Sequence, residues 1–389
     1  MKRVWVFVII GLLLLSVFFI IGPIQKTKYN QQSPSGSSGQ DYPSQFQQDS
    51  EQNQQPDENC QLIFSQYLID PKYVQKIGQV GVVHGGGKSI VERSYISVKQ
   101  EFYEQEIPIY APADMKLIAA AHYKVPGSPE NALADYVLKF NTEECNVEFL
   151  LGHLKGVIPS IDQELPNIQD DSRENFITPI EFKAGDLIGY YKQQSVQGAV
   201  AGFDFVVRDP RVTNQFINQE RYEEDRARNL IHGVCPYDYF TQEKKQEYYN
   251  LLGGAGGKIF TVKDCGTASR DKSGTISGMW FLGKEIVGEI YNDYKEGDYG
   301  SPISLVGDEE SVTFGNFGQS PTLKVYSTDS TYKLPIEVTT EHCYKFTYNG
   351  QDMGYAYFKI IDESTMDVSY SSTGSCPSTM PAGAKRYYK

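Results

Sequence analysis

The chain has 389 residues with 36 basic and 49 acidic side chains, which give a formal net charge of −13 at pH 7 and a pI near 5.0. Because phosphate contacts need clustered lysine and arginine, an acidic chain without a basic block is not expected to bind nucleic acid. The six cysteines are too scattered for the CxxC pairs of a zinc finger.

The first segment of the chain is strongly apolar. Residues 4–22 carry no charge, and as a helix they would span about 28 Å, close to the thickness of a bilayer core. A secretory signal peptide is the alternative, but it has a shorter apolar stretch and a small-residue cleavage site, which this segment does not offer. We therefore expect an uncleaved membrane anchor within residues 1–25, with the bulk of the chain outside the cytoplasm.

The next segment, residues 26–59, is rich in glutamine and serine and has few large apolar side chains. Such a composition cannot bury enough apolar surface to offset the entropy of folding. It predicts a disordered tether that holds the globular part away from the membrane.

All six cysteines follow the apolar segment, and an even number in this place favours disulfides in an oxidising compartment. Six cysteines allow 15 connectivities, and six reduced core thiols are the alternative. The positions of the cysteines beside predicted helices and strands favour three pairs, which are Cys343–Cys376, Cys235–Cys265 and, as the remainder, Cys60–Cys145.

The rest of the chain divides into two β-rich parts, so the predicted fold class is mainly β (α+β). Residues 60–209 contain short β-type runs separated by turns, which predict an antiparallel β domain with one helix near 61–77. Residues 210–231 are charged, lack glycine and predict a helical connector. Residues 232–389 begin with a predicted helix at 241–253 and continue with strands that indicate a β-barrel or β-sandwich.

The stretch VVHGGGKS at 82–89 contains the residue types of a phosphate loop. A Walker A motif needs G-x-x-x-x-G-K-[ST], which would place a glycine where this chain has Val82. The nearest glycine, Gly81, is one residue too far away, so the spacing excludes this function. His84 remains as a candidate metal ligand at the end of a strand.

Five blocks follow one another in an order typical of one family. They are a His-x-Gly element at 84–86, IPIYAPADMKLIAAA at 107–121, NVEFLLGHL at 146–154, FKAGDLIGY at 182–190 and GFDFVVR at 202–208. Through these blocks, residues 81–209 resemble the lysostaphin-type (LytM, M23) zinc peptidase domain, whose active members cut the peptide cross-links of bacterial cell walls.

The resemblance implies roles for five positions, which are the ligand positions His84, Lys88 and Asp204 and the catalytic positions His153 and Gly202. At two of the three ligand positions this chain has a residue other than the family's ligand. At one of the two positions that hold a catalytic histidine in the family, this chain has a glycine. Because catalytic zinc usually takes three protein ligands, we expect a peptidase fold without peptidase chemistry, without metal and without another cofactor. If any metal binds, His84 and Asp204 would hold it. We also expect the ammonium of Lys88 to replace the metal and to pair with Asp204.

In the second part, Gly278 and Trp280 form a G-x-W element that opens a run of strands, which is similar to the start of lipocalin-like barrels. An ordinary core tryptophan beside a tight turn is the alternative. The remaining histidines, His122, His232 and His342, have no ligand spacing, so we expect each of them to be structural or exposed.

Together these features predict a membrane-anchored extracytoplasmic binding or scaffold protein of the cell envelope. Its anchor would be residues 4–22, and its partner an envelope protein or a cell-wall polymer. Two alternatives stay open. One is a zinc-dependent cell-wall endopeptidase with altered ligands, and the other is a small-ligand binder that uses a lipocalin-like C-terminal barrel.

Overall fold

A computed structural model gives the fold of this chain and describes twelve stretches of it. The described residues are 60–83, 89–125, 128–142, 145–165, 167–195, 202–223, 230–253, 265–286, 302–307, 311–317, 323–348 and 351–389. Residues 55–389 form one compact unit. The predicted membrane anchor and the predicted tether both lie outside the described residues. No helix in the described part has the length and apolarity to cross a bilayer.

The first part of the described chain is mainly β, as the sequence predicts. Its strands are β1 (Val74–Ile77), β2 (Ser94–Val98), β3 (Ile107–Tyr110), β4 (Met115–Tyr123), β5 (Asp135–Thr142), β6 (Val147–Leu154), β7 (Gly156–Val157), β8 (Asn175–Phe182), β9 (Leu187–Tyr191), β10 (Phe203–Arg208) and β11 (Gly233–Val234). An antiparallel sheet runs in the order β1-β2-β10-β6-β5-β4-β8, with β11 beside β10, and a smaller sheet runs β3-β9-β7.

The two faces of the large sheet differ because side chains alternate along each strand. On β10, Phe203, Phe205 and Val207 are buried in the main hydrophobic core. Asp204 and Val206 alternate with them and therefore lie on the opposite face. We call this opposite face the polar face. It also carries a small apolar cluster, which is formed by Ala121, Tyr123, Val137, Leu150 and Val206.

In the described stretches, three short α-helices connect the strands, namely α1 (Pro159–Asp162), α2 (Gln219–Glu223) and α3 (Gln242–Tyr249). The predicted helix at 241–253 is confirmed by α3, which has Thr241 at its N-cap position. The predicted connector at 210–231 contains α2 and the beginning of a 3₁₀ turn at Leu230–His232, while residues 224–229 lie outside the described residues.

The predicted helix at 61–77 is wrong. Phe64 forms a β-bridge with Phe240, Pro71–Tyr73 is a 3₁₀ turn, and the segment ends in β1. Tertiary packing overrides the helical pattern here, since Phe64 is fully buried among aromatic rings, with its ring centroid 5.1 Å from that of Phe240. Pro71 also cannot donate a backbone hydrogen bond inside a helix.

The segment after α2 packs against the first core rather than with the later strands. Tyr237, Phe240 and Tyr248 belong to the same buried cluster as the residues of β10. Tyr248 is fully buried, and its hydroxyl donates to the carbonyl of Ile69 at 2.9 Å. Residues 230–253 therefore close one side of the first core.

The C-terminal part contains two further antiparallel sheets. Their strands are β12 (Gly278–Trp280), β13 (Ile303–Gly307), β14 (Ser311–Gly315), β15 (Leu323–Tyr326), β16 (Glu341–Tyr348), β17 (Gln351–Asp362), β18 (Thr365–Ser371) and β19 (Lys385–Tyr388). The sheets run β12-β13-β14-β15 and β16-β17-β18-β19. Both contribute to one core, in which Trp280, Phe314, Tyr344 and Phe358 are fully buried.

A buried charged pair joins the C-terminal strand to the rest of the fold. The ammonium of Lys389 lies 2.7 Å from the carboxylate of Asp271 and 4.4 Å from the centre of the Trp280 ring. The carbonyl oxygen of Lys389 accepts a hydrogen bond from Asn218, and the backbone N–H of Ile217 donates to Asp271. This pair therefore connects the segment before α2 with β12 and β19.

All six cysteines are paired, and the three predicted disulfides are confirmed. They are Cys60–Cys145, Cys235–Cys265 and Cys343–Cys376. The sequence separations are 85, 30 and 33 residues, so each bond closes a long loop of the unfolded chain and restricts its conformations.

Candidate functional site

A β-bulge brings His153 to the polar face. Leu154 pairs with Tyr136 and Leu151 pairs with Leu138, so β6 holds one residue more than β5 over this interval. The extra residue lets His153 adopt a left-handed backbone with φ of 65°. Non-glycine residues rarely adopt this conformation, and it costs on the order of 1–3 kcal/mol, so the surrounding structure must hold it.

Two charged residues orient His153. Its Nδ1 lies 2.6 Å from Oδ2 of Asp135, which is fully buried. The other carboxylate oxygen of Asp135 accepts a hydrogen bond from the ammonium of Lys155. The hydroxyl of Tyr123 is 3.4 Å from the same imidazole nitrogen. This arrangement fixes Nδ1 as the N–H donor and turns Nε2 toward Asp204 on the neighbouring strand, at 3.8 Å.

The carboxylate of Asp204 is bound by a guanidinium. Arg93 Nη1 lies 2.6 Å from Asp204 Oδ2, and Asp204 is only 2% exposed. Gly152 is the cross-strand neighbour of Asp204, and a Cβ at this position would come within 2.9 Å of Oδ2. The glycine therefore leaves the space that the Arg93–Asp204 pair occupies. Asp204 Oδ1 is buried and meets no hydrogen-bond donor among the described residues.

Burial and charge together set the ionisation of this site. Burial alone would lower the pKa of Arg93, but the negative charges of Asp204 and Glu92 outweigh it and raise the pKa. Burial, assisted by the charge of Asp204, raises the pKa of Tyr95 far above its ordinary value. Burial and the charge of Asp135 likewise raise the pKa of Tyr123 far above its ordinary value. At neutral pH both tyrosines therefore stay protonated, and Arg93 stays charged.

Gly202 has a structural role of its own. Its φ is +90°, and a Cβ at this position would lie 2.8 Å from the carbonyl oxygen of Ile96. Its backbone N–H donates to the hydroxyl of Tyr191 at 2.7 Å and to the side chain of Gln193 at 3.0 Å. A histidine could not occupy this backbone without strain, so glycine is required here.

The structure brings together two of the five site residues that the resemblance suggests, since His153 and Asp204 lie on adjacent strands. Gly202 lies just before β10. His84 and Lys88 lie outside the described residues, so the predicted Lys88–Asp204 pair remains a prediction. The partner that Asp204 has in the described chain is Arg93.

The other three histidines each have a structural contact. His122 stacks on Tyr136, with ring centroids 4.0 Å apart. His232 Nδ1 lies 2.7 Å from the carbonyl oxygen of Val212. His342 Nε2 lies 2.8 Å from the carbonyl oxygen of Thr331. None of these contacts brings a second histidine close.

The described residues of the site do not fit a catalytic zinc ion. Such an ion needs three protein ligands and an open position for water. Asp204 and His153 would supply two ligands and Gly202 supplies none. Arg93 Nη1 lies 2.6 Å from Asp204 Oδ2, the same oxygen that lies 3.8 Å from His153 Nε2. Within the described ranges, no group of three or more His, Cys, Asp or Glu side chains converges on one point.

Searches of protein-family models, curated proteins and solved structures found no match for this chain. The chemistry of the site therefore has to be inferred from its own residues.

Sequence reasoning missed three residues of the site, which are Arg93, Asp135 and Lys155. Asp135 lies on β5 and Lys155 follows β6, so they meet only through strand pairing. Arg93 precedes β2, and the pairing of β2 with β10 brings it to Asp204. The one signal in the sequence was that Glu92 and Arg93 are charged residues immediately before a strand.

Proposed function

We propose that this chain is a membrane-anchored, extracytoplasmic binding or scaffold protein of the cell envelope, with a peptidase-like domain that does not cleave peptides. The observation that carries the proposal is the contact of 2.6 Å between Arg93 and Asp204. A permanent cation beside the carboxylate leaves Asp204 unavailable as a metal ligand.

The positive charge of Arg93 would repel a zinc ion held by Asp204. Two unit charges 4 Å apart interact by about 4 kcal/mol at an effective dielectric constant of about 20, and a dication doubles the repulsion. A zinc ion bound by Asp204 Oδ2 would lie about 2 Å from that oxygen, and Arg93 Nη1 lies 2.6 Å from the same atom, so the two positive charges would be less than about 5 Å apart. Binding of zinc would therefore require Arg93 to leave a buried ion pair, which adds a further cost.

The three disulfides support a location outside the cytoplasm, where such bonds persist. The alternative of ligand binding inside a C-terminal barrel has less support, because Trp280, Phe314 and Phe358 fill the space between the two C-terminal sheets. The packed interior favours placing the binding function on a surface of the fold.

The proposal is tested by elemental analysis of the purified full chain and by incubation with cross-linked cell-wall peptides. We expect no stoichiometric zinc and no cleavage from the natural sequence. The variant Arg93→His removes the guanidinium and adds an imidazole beside Asp204 and His153, so it should gain zinc. Arg386→His is the matched control, since Arg386 also pairs with an aspartate, Asp367, but at an exposed site.

Two outcomes would contradict the proposal. Stoichiometric zinc in the natural chain, together with peptide cleavage, would establish the alternative of an endopeptidase with altered ligands. Zinc uptake by both histidine variants to the same extent would show that Arg93 does not control access to Asp204.

A further inference from the structure

A small pocket lies on the polar face, at the opposite end of the central strands from His153. Its volume is about 170 Å³, and its wall includes Asn141 of β5, Glu148 of β6 and Arg208 of β10. Arg208 is the cross-strand neighbour of Glu148, and Glu148 that of Asn141, so three adjacent strands supply one row of polar side chains. His232, which precedes β11, borders the same pocket.

The charged side chains of this wall are neutralised within the protein. Arg208 Nη1 lies 2.5 Å from Glu148 and its Nη2 lies 3.1 Å from Glu92. Lys139 binds the second oxygen of Glu148 at 2.5 Å. Burial by itself would lower the pKa of Arg208, but these carboxylates raise it, so the guanidinium stays ionised. Among the described residues of this wall, a charged ligand such as phosphate would therefore find no uncompensated positive charge.

The remaining wall presents hydrogen-bonding groups in fixed orientations. Asn141 Nδ2 donates to Asn146 Oδ1 at 3.1 Å, which holds both amides in place. His232 Nδ1 is bound to the carbonyl of Val212, whereas Nε2 makes no hydrogen bond to the described residues. Ile118 and Pro210 add an apolar side to the pocket. The wall thus offers neutral donors and acceptors around an apolar patch.

We propose that this pocket binds one neutral sugar residue of a glycan. A sugar ring combines hydroxyl groups, which both donate and accept hydrogen bonds, with an apolar C–H face that can lie against Ile118 and Pro210. The volume of about 170 Å³ is large enough for several water molecules. It is smaller than the ~300–1,000 Å³ of pockets for drug-sized ligands, which favours a single ring. The site is separate from the Arg93–Asp204 pair and does not depend on whether that pair excludes zinc.

Saturation-transfer NMR on the full chain tests this site. The probes are methyl glycosides of glucose, galactose and N-acetylglucosamine, with inorganic phosphate and acetate as charged competitors. Because a one-ring ligand makes few contacts, we expect a dissociation constant of about 1 mM for at least one sugar. Phosphate and acetate should not displace it.

Two variants locate the binding. Asn146 has a φ of 52°, so Asn146→Gly removes the amide without strain and should weaken sugar binding about 2- to 10-fold through lost hydrogen bonds. Ile118→Trp fills the pocket and should abolish the signal. Glu104→Gly is the matched control, because Glu104 also has a positive φ, of 63°, and does not line the pocket; it should leave sugar binding unchanged.

The proposal is overturned if none of the three sugars gives a signal with the natural chain. It is equally overturned if phosphate displaces the sugar, or if Asn146→Gly and Ile118→Trp bind sugar as well as Glu104→Gly does. Because Asn146→Gly suits the existing backbone, a loss of binding with an unchanged unfolding midpoint would report on the site and not on the fold.

Discussion

The buried pair of Lys389 and Asp271 offers a sharp test of how the C-terminal strand is held. Replacement of Lys389 by methionine keeps an unbranched side chain of similar length but removes the charge. The side chain of Asp271 is only 2% exposed. In the variant, the donor left to it among the described residues would be the backbone N–H of Ile217, at 3.2 Å. A buried carboxylate would thus lose its counter-ion.

The expected loss of stability follows from the burial of both partners. The side chain of Lys389 is 0% exposed and that of Asp271 is 2% exposed. Removing one member of such a pair costs about 3–5 kcal/mol, because the remaining charge stays in a poorly solvated place. We therefore expect Lys389→Met to lose about 3–5 kcal/mol in the free energy of unfolding. The double variant Lys389→Met/Asp271→Asn should recover most of this loss, since no buried charge is then left without a partner.

Urea unfolding followed by tryptophan fluorescence is a suitable assay. Trp280 is one of two tryptophans in the chain, and its ring contacts the Lys389 ammonium at 4.4 Å. Arg386→Ala is the matched control, because Arg386 lies three residues earlier, on β19, and pairs with Asp367 at the surface; it should not shift the midpoint measurably. A loss below about 1 kcal/mol for Lys389→Met, or a double variant as unstable as the sum of the single variants, would refute the reasoning.

Three further predictions concern other parts of the fold. Gly202→His should cost at least about 2 kcal/mol of stability, because histidine is strained at φ +90°, and it should not restore zinc binding; thermal unfolding and elemental analysis check both points. Burial lowers the pKa of His342 below 6.5, so the unfolded chain takes up a proton at a higher pH than the folded chain does. Stability should therefore fall as the pH decreases from about 6.5 toward the folded pKa, and His342→Gln should remove this part of the dependence. Replacement of Cys235 and Cys265 by serine opens a loop of 30 residues and should cost about 3.5 kcal/mol in the chain-entropy model, measured by urea unfolding.

Each of these predictions can fail in a defined way. Zinc bound by Gly202→His would show that the backbone at this position accommodates a side chain. A thermal midpoint that stays constant between pH 7 and 5.5 in the natural chain would mean that the fold does not lower the pKa of His342. If the double serine variant unfolds at the same urea concentration as the natural chain, the disulfide does not restrict the unfolded state.

Local features of this fold could be predicted from the sequence where short-range patterns decide the structure. The β-type runs and the helix after Thr241 followed from periodicity and from turn residues. The pairing of Cys235 with Cys265 followed from their positions on either side of the helix after Thr241. The segment 61–77 was misread because its apolar spacing suits a helix, whereas aromatic packing around Phe64 holds it extended.

The candidate site could be predicted only in part, because its contacts depend on strand register. His153 and Asp204 were identified through the family resemblance. The bulge that turns His153 toward Asp135 arises from one extra residue in β6. No residue type in the sequence indicates this bulge. Arg93 is 111 residues from Asp204 along the chain, so their contact becomes visible only once β2 and β10 are paired.

The disulfide between Cys60 and Cys145 determines where a pull on the chain ahead of Cys60 would act on the fold. Cys145 lies in the turn between β5 and β6, two strands with neighbours on both sides in the large sheet. A pull on the chain ahead of Cys60 is transmitted through the sulfur atoms to this hairpin, and residues 61–144 are bypassed. Because a covalent bond carries the tension past the segment that contains Phe64 and β1, that segment cannot be peeled from its core while the bond is intact. After reduction of this one bond, the same pull would act directly on the segment that contains Phe64 and β1.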